Sequence, residues 1–196
     1  MEQETNKFKQ ANAFAMQYGF ILGCAGILSL FLTGLSLSVP GISFLGSLVT
    51  LVSPLLAAML TRRFRNVVMT TDVGFTFGRG FLFTFVMGVY AILLVGLFTF
   101  IYLAFIDGGY IFNAYEKLLS QPEVVAEMRR SGMLSSLTQG GMDMTDIVDA
   151  MRSIPPAQYA SSIICTSILM NPFISAVIAL VMRRDPGFIK RTEERP

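Results

Sequence analysis

The chain has 196 residues, of which 53% are hydrophobic and 14% are charged, and its formal net charge is +2. A soluble domain carries roughly a quarter charged residues, so this composition excludes an ordinary water-soluble enzyme or binding domain. The charges are also unevenly placed, because Lys, Arg, Asp and Glu are all absent from residues 10–61, 80–106 and 153–182. Since about 20 predominantly apolar residues cross a bilayer, the sequence predicts an all-α integral membrane protein.

The first membrane span is predicted over residues 14–37. This run is too long for the apolar region of a signal peptide, and a second run follows after a short turn, so we expect an uncleaved transmembrane helix. Gly19 and Gly23 form a GxxxG pair within the span. Small residues let membrane helices approach closely, so these two glycines are predicted to lie on a packing seam.

Three further spans complete a predicted four-helix bundle. They cover residues 42–60, 80–106 and 157–182. A Pro-Gly dipeptide, typical of a tight turn, separates the first span from the second. The second and fourth spans each end in a cluster of arginines, and a loop over residues 107–156 joins the third span to the fourth.

The third span begins with a stretch that is similar to an RNA-binding strand. The letters "RGFLFTFV" over residues 79–86 match part of an RNA-recognition signature whose aromatic side chains stack on bases. That signature belongs to a solvent-facing sheet, whereas this stretch opens 27 uncharged residues, so we expect a membrane helix and no nucleic-acid partner. Gly80, Gly88 and Gly96 recur in the same span. Each step of eight residues advances a helix about 80° past two full turns, so these glycines are not expected to share one face.

The distribution of Lys and Arg predicts the orientation in the membrane. Eleven basic residues lie in the N-terminal tail, between the second and third spans and in the C-terminal tail, against four in the loop over 107–156. Cytoplasmic segments carry the excess of Lys and Arg, and an even number of spans brings both termini to one side. We therefore expect both termini to be cytoplasmic and the loop to be extracytoplasmic.

The loop shows two helix patterns. The stretch Ser120–Glu123 matches a capping box, so a helix is expected to follow to Arg130 and to end at Gly132. Four apolar residues then recur at helical spacing and indicate a second helix: Met144, Ile147, Val148 and Met151. The apolar stripe of this helix must be covered by another surface. We favour the end of the bundle, and a partner protein is the alternative.

The second and fourth spans share a mid-membrane proline that follows a polar residue, in Ser53-Pro54 and Asn171-Pro172. A proline is expected to kink a membrane helix, and neighbouring side chains satisfy the carbonyl that it frees. Broken helices also occur at transporter binding sites. Because both spans end in Arg-Arg, the sequence fits either two duplicated hairpins or a chance similarity. Asn171 is interpreted as a packing residue rather than as a ligand.

The predicted spans contain no Asp, Glu, Lys, Arg or His, which argues against proton-coupled transport or redox chemistry. The arginines beside the second and third spans are interpreted as interface anchors, with binding of anionic lipid headgroups as the alternative. These arginines are Arg62, Arg63, Arg65 and Arg79. No cofactor and no metal is expected, because the aspartates of residues 143–149 lack the glycine and glutamate of a calcium loop.

Three stretches resemble a known family. They read "FAMQYGFILG" over residues 14–23, "RFRN…VGFTFGRGF" over 63–81 and "IYLAFIDGGYI" over 101–111. The chain resembles the bacterial membrane-protein family catalogued as domain of unknown function 4199. The resemblance implies a small four-helix protein of the Gram-negative inner membrane with no assigned activity and no catalytic residues. It also implies a place beside polyprenol-phosphate sugar transferases, near which members of the family often occur.

Three functions are compatible with the sequence. We favour a non-enzymatic scaffold or accessory subunit in cell-envelope assembly, which contacts a second copy or another envelope membrane protein within the lipid bilayer. The alternative is a small transporter or lipid carrier that uses the two proline-containing helices. A lipid-modifying enzyme is the least favoured, because the sequence shows no recognisable constellation of nucleophile and base.

Overall fold

The computed structural model describes residues 2–68, 74–132 and 144–184 of the chain. The helices within them are α1 Glu2–Ser36, α2 Ser43–Val68, α3 Phe77–Ile101, α4 Tyr110–Leu119, α5 Pro122–Arg130, α6 Met144–Ser153 and α7 Pro156–Met182. Four segments are long and apolar enough to cross a membrane, namely α1, α2, α3 with its π-helical extension to Ile106, and α7. The structure therefore confirms the predicted all-α membrane bundle with a helical segment between its third and fourth spans.

Two of the membrane helices run past their apolar spans. α1 begins at Glu2 and α2 continues to Val68, although the uncharged run of the sequence covers only residues 10–61. Arg, Lys and Glu are good helix formers, so the helical hydrogen bonds continue into water beyond the membrane. Charged residues therefore mark where a span leaves the membrane and not where its helix ends.

α3 is the central helix of the bundle. It packs along α1 on one side and along α7 on the other, whereas α2 packs mainly on α1. Because α2 and α7 contact each other much less, the four helices form a ring that is open between α2 and α7. We call the end with α4, α5 and α6 the loop end. The opposite end, which we call the arginine end, carries Arg62, Arg63, Arg65, Arg79, Arg183 and Arg184.

Glycines bring α1 and α3 into direct contact. A Cβ atom added at Gly19 would lie 2.6 Å from Tyr90 Cβ and 2.7 Å from the carbonyl oxygen of Met87. One added at Gly23 would lie 2.8 Å from a methyl carbon of Leu94. Apolar atoms in contact normally lie about 4 Å apart, so no larger residue fits at these positions without movement of a neighbour. The structure thus places the GxxxG pair at the contact of α1 with α3.

The three glycines of α3, which were not expected to share one face of their helix, nevertheless all meet α7. An added Cβ would meet Ala179 from Gly80, Asn171 from Gly88 and Ile164 from Gly96. The prediction assumed that contacts follow a line parallel to the helix axis. Ridges on a helix surface instead follow rows of i, i+4 that are inclined to the axis. Glycines that are about 80° apart can therefore meet successive positions of one crossing helix.

An aromatic core closes the arginine end. The rings of Phe64 in α2 and Phe83 in α3 stack with their centroids 3.8 Å apart, and Phe14 of α1 lies against Phe64. Phe75, in the link before α3, is buried beside Phe64. Its carbonyl accepts a hydrogen bond from the backbone N–H of Arg184 at 2.9 Å. The link thus joins the end of α7 and places one more ring in the core.

Asp107 turns the chain at the loop end of α3. Its backbone N–H bonds to the Tyr102 carbonyl at 2.8 Å and closes the π-helical turn. Its carboxylate accepts hydrogen bonds from the N–H groups of Gly109 and Ile111, both at 3.1 Å. Gly108 and Gly109 have φ angles of 54° and 86°, in the left-handed region that favours glycine. The buried carboxylate therefore sets where α4 begins.

The helix expected in the first half of the loop is α5, but the capping box predicted for it was wrong. The hydroxyl of Ser120 donates to the Glu116 carbonyl of α4 at 2.6 Å and makes no bond to the start of α5. α5 instead opens on Pro122, whose φ suits a helix and which has no N–H to satisfy. Gly132, with φ 72°, follows the end of α5 as expected.

Replacement of Gly19 by alanine is expected to lower the free energy of unfolding by about 1–3 kcal/mol, because the α3 backbone lies in the way of the added methyl group. Gly34→Ala is the control in the same helix, since a Cβ there meets nothing within 4 Å. It is expected to change stability by less than about 1 kcal/mol. Unfolding of both purified variants in detergent measures the difference, and equal stabilities would contradict the α1–α3 contact at Gly19.

Candidate functional site

The opening between α2 and α7 is a cleft at membrane depth, with a volume of about 370 Å³. Its walls include Pro54 of α2 and Asn171 of α7, and its floor includes Met87 and Gly88 of α3. Small polar side chains are spaced along the otherwise apolar surface. They are Ser29, Thr50, Ser53, Thr84, Ser167 and Asn171.

Polar side chains in and beside the cleft join the helices that surround it. The cross-helix bonds run from Asn171 Nδ2 to the Phe85 carbonyl (2.9 Å), from Ser29 Oγ to the Gly46 carbonyl (3.2 Å) and between the hydroxyls of Thr61 and Thr84 (3.1 Å). They connect α7 to α3, α1 to α2 and α2 to α3. Such bonds contribute about 0.6 kcal/mol each on average in membrane proteins. The polar groups therefore hold the fold around the cleft.

Pro54 cannot donate a hydrogen bond to the carbonyl of Thr50, one turn earlier in α2. The hydroxyl of Ser53 donates to this carbonyl instead, at 3.0 Å, so the freed acceptor is satisfied inside the helix. Neither Pro54 nor Pro172 ends its helix, because α2 and α7 both continue through the proline. The prolines thus do not create the interrupted helices that mark some transporter sites.

A second cavity, of about 290 Å³, lies at the loop end beneath α4 and α6. We call it the aromatic chamber, because rings such as Tyr115 of α4 and Tyr159 of α7 line it together with Met151 of α6. Leu30 and Ile163 line both the chamber and the cleft. The two cavities therefore adjoin, and apolar space extends from the middle of the bundle to its loop end.

α6 is held over the loop end by Arg152. One nitrogen of its guanidinium, Nη2, donates to Glu116 Oε2 and to Asn113 Oδ1 of α4, at 2.7 Å in each case. The hydroxyl of Tyr159 donates to the carbonyl of Met151 at 2.8 Å and ties the end of α6 to α7. α4, α6 and the start of α7 therefore form one connected layer.

The apolar stripe of α6 contacts the rest of the chain where the structure describes it. Val148 is buried, Ile147 is half-buried and Met151 lines the aromatic chamber. The side chain of Met144 lies outside the described residues. This helix packs against α4, which is the bundle-capping arrangement that the charges on its other faces favoured.

The arginines singled out in the sequence have different surroundings. Arg62 and Arg63 are exposed. Arg65 Nη1 donates to the Met182 carbonyl at 3.0 Å, at the end of α7 where the helix dipole favours a cation. Arg79 Nη1 donates to a carbonyl in the link before α3 at 3.1 Å. Two of the four therefore bond to backbone carbonyls and fasten segments at the arginine end.

Within the described residues, no group of three or more His, Cys, Asp or Glu side chains is arranged to hold a metal ion. The chemistry that the site offers is therefore that of hydroxyls, one buried amide, aromatic rings and arginines. The hydroxyls and the amide join helices, and the aromatic rings line the cavity at the loop end.

The antiparallel helices, apolar cleft and capped loop end define a small multi-pass membrane protein. The model of the family described as "Protein of unknown function (DUF4199)" matches residues 17–184. The chain therefore belongs to this family, and the resemblance seen in the sequence is confirmed. No curated protein and no solved structure matches the chain significantly.

Replacement of Asn171 by alanine is expected to lower the free energy of unfolding by about 1–2 kcal/mol, because α7 loses its hydrogen bond to the Phe85 carbonyl of α3 in a medium without water. Ser167→Ala, one turn earlier on the same wall of the cleft, is the matched control and is expected to stay within about 0.5 kcal/mol of the wild type. Detergent unfolding curves check both variants. An equal loss in the two would show that the Asn171 bond does not join α7 to α3.

Proposed function

We propose that the chain is a non-enzymatic scaffold or accessory subunit of the bacterial inner membrane, which supports cell-envelope assembly through contact with another membrane protein. The observation that carries the proposal is the layer at the loop end. Arg152 bonds α6 to α4, so these two helices hold a fixed arrangement at the loop end. A fixed surface of this kind suits recognition of a protein partner.

The exposed carboxylates of α6 and of α5, which follows α4 directly, are suited to a partner with basic groups. Glu123 and Glu127 of α5 and Asp149 of α6 are exposed, and the loop as a whole carries a net charge of −3. Complementary charge across an interface steers association and selects the partner. Within the cleft, polar side chains form hydrogen bonds that join neighbouring helices, which supports a structural role over a catalytic one.

The proposed orientation places both termini in the cytoplasm and the loop end outside it. It is supported by the excess of Lys and Arg at the arginine end and in both termini. Anchoring of Arg65 and Arg79 on backbone carbonyls keeps two of these charges at the membrane surface.

A cysteine-accessibility experiment tests the orientation, in a chain whose native Cys24 and Cys165 are replaced by alanine. Ala126→Cys, in the exposed part of α5, is expected to react with an impermeant maleimide on intact spheroplasts. Asn66→Cys, exposed at the arginine end, is the matched control and is expected to react only after the membrane is opened. The reverse labelling pattern would overturn the proposed orientation.

Gentle-detergent purification of the tagged chain from native membranes, followed by mass spectrometry, tests the scaffold function. We expect an envelope membrane protein or a second copy to co-purify, and the Glu123→Lys/Glu127→Lys variant to lose it because the charge complementarity is reversed. Glu2→Lys/Glu4→Lys makes the same charge change in the N-terminal segment and is expected to keep the partner. Recovery of the wild-type chain alone, as a monomer, would contradict the proposal.

A further inference from the structure

Three arginines converge at the arginine end, where α2 and α7 meet. Arg62 and Arg65 lie three residues apart in α2, and the guanidinium of Arg65 is within electrostatic range of both Arg62 and Arg184. The bond from Arg65 to the Met182 carbonyl holds the ends of the two helices together. Arg184 is fixed by its own backbone N–H, which donates to the carbonyl of Phe75. The fold therefore creates a cluster that the linear sequence divides between two distant segments.

This cluster gathers positive charge without a carboxylate partner among the described residues. Arg62, Arg65 and Arg184 form no ion pair with the described residues, whereas at the loop end Arg130 pairs with Glu127, and Arg152 pairs with Glu116 and Asp149. Like charges held together at a membrane surface repel one another, and an anion placed between them relieves the repulsion.

Arg65 keeps donors available for such an anion. A guanidinium has five N–H groups. Arg65 uses its Nε–H on Asn66 at 3.3 Å and one Nη1–H on the Met182 carbonyl at 3.0 Å. Three N–H groups remain, including both on Nη2. The bond to the Met182 carbonyl already offsets the negative end of the α7 dipole. The remaining N–H donors of Arg65 can therefore bind an anion together with the donors of Arg62 and Arg184.

We propose that Arg62, Arg65 and Arg184 bind the phosphate group of an anionic glycerophospholipid from the surrounding bilayer. Guanidinium groups bind phosphate oxygens through paired, charge-assisted hydrogen bonds, and three of them surround a phosphodiester better than an isolated anchor does. The site is narrower than the set of arginines that the sequence indicated, because it leaves out Arg63 and Arg79 and includes Arg184. It does not depend on the proposed scaffold function.

The apolar surface on the membrane side of the cluster favours binding of a lipid over binding of a soluble phosphate compound. Met59 precedes Arg62 by about one turn of α2 and has 67% of its surface exposed, and Val181, in the last turn of α7 shortly before Arg184, has 72% exposed. Two apolar stripes therefore start directly beneath the cluster. They lead along α2 and α7 towards the cleft, where Pro54 and Ile174 form part of the walls. The acyl chains of a bound lipid would lie along these stripes.

The test uses the purified full-length chain in detergent and two lipids with the same acyl chains, phosphatidylglycerol and phosphatidylcholine. Native mass spectrometry measures how much of each lipid the protein retains. We expect wild-type protein to retain phosphatidylglycerol in preference to phosphatidylcholine. The Arg62→Gln/Arg184→Gln variant should lower retention of phosphatidylglycerol about fivefold for each arginine, or about 25-fold in total. Retention of phosphatidylcholine should stay unchanged.

Arg63→Gln/Arg183→Gln is the matched control, since it removes two exposed arginines next in sequence to those of the site. It is expected to retain phosphatidylglycerol as the wild type does. An equal loss in the two double variants would overturn the proposal, because general surface charge would then explain the binding. Displacement of phosphatidylglycerol by excess inorganic phosphate would overturn the assignment to a lipid. Co-purification of a protein partner is measured separately, so failure of one proposal leaves the other testable.

Discussion

Direct contact between the backbone of α3 and its neighbours α1 and α7 is the constraint on which the bundle depends. Lipid is as apolar as the helix surfaces, so the hydrophobic effect does not drive these helices together, and close packing with a few hydrogen bonds must do so. Gly19 and Gly23 remove side chains on the α1 side, and Gly88 makes room for Asn171 on the α7 side. The amide of Asn171 can then reach the backbone of α3. Because α2 reaches the bundle mainly through α1, the ring stays open between α2 and α7, and the cleft is the result.

The main features of the fold follow from one-dimensional patterns. Long runs without charge predict the four membrane helices, because each charged residue in lipid raises the free energy regardless of what the other segments do. The helical pattern of Ile147 and Val148 likewise predicts α6. Features that depend on how two separate segments meet could not be predicted from the sequence. The hydroxyl of Ser120 could accept from an N–H at the start of α5 or donate to a carbonyl of α4, and only the path of α4 determined that it donates to the Glu116 carbonyl. Whether Gly80 and Gly96 face α7 depends on the angle at which α3 and α7 cross.

In the candidate sites too, the sequence indicates single residues but not their partners in other segments. Asn171 stands out in the sequence because an amide at membrane depth needs a partner, but the sequence does not name the Phe85 carbonyl as that partner. Arg184 looks like an ordinary anchor after an apolar run. It joins Arg62 and Arg65 only because α7 ends beside α2, through the bond of Arg65 to Met182. The cleft itself has no sequence signature, since it arises from the weak contact between the second and fourth membrane helices.

The buried ring of Phe75 has a consequence for permeation. It completes an aromatic barrier with Phe64 and Phe83 on the arginine side of the adjoining cavities. Inside the bundle, the cleft is therefore closed towards the arginine end, and its opening is the gap between α2 and α7. Water and ions in the cleft meet stacked rings on that side instead of a conduit. A molecule held in the cleft would enter and leave sideways, through the gap between α2 and α7 within the bilayer, and not through the arginine end of the bundle.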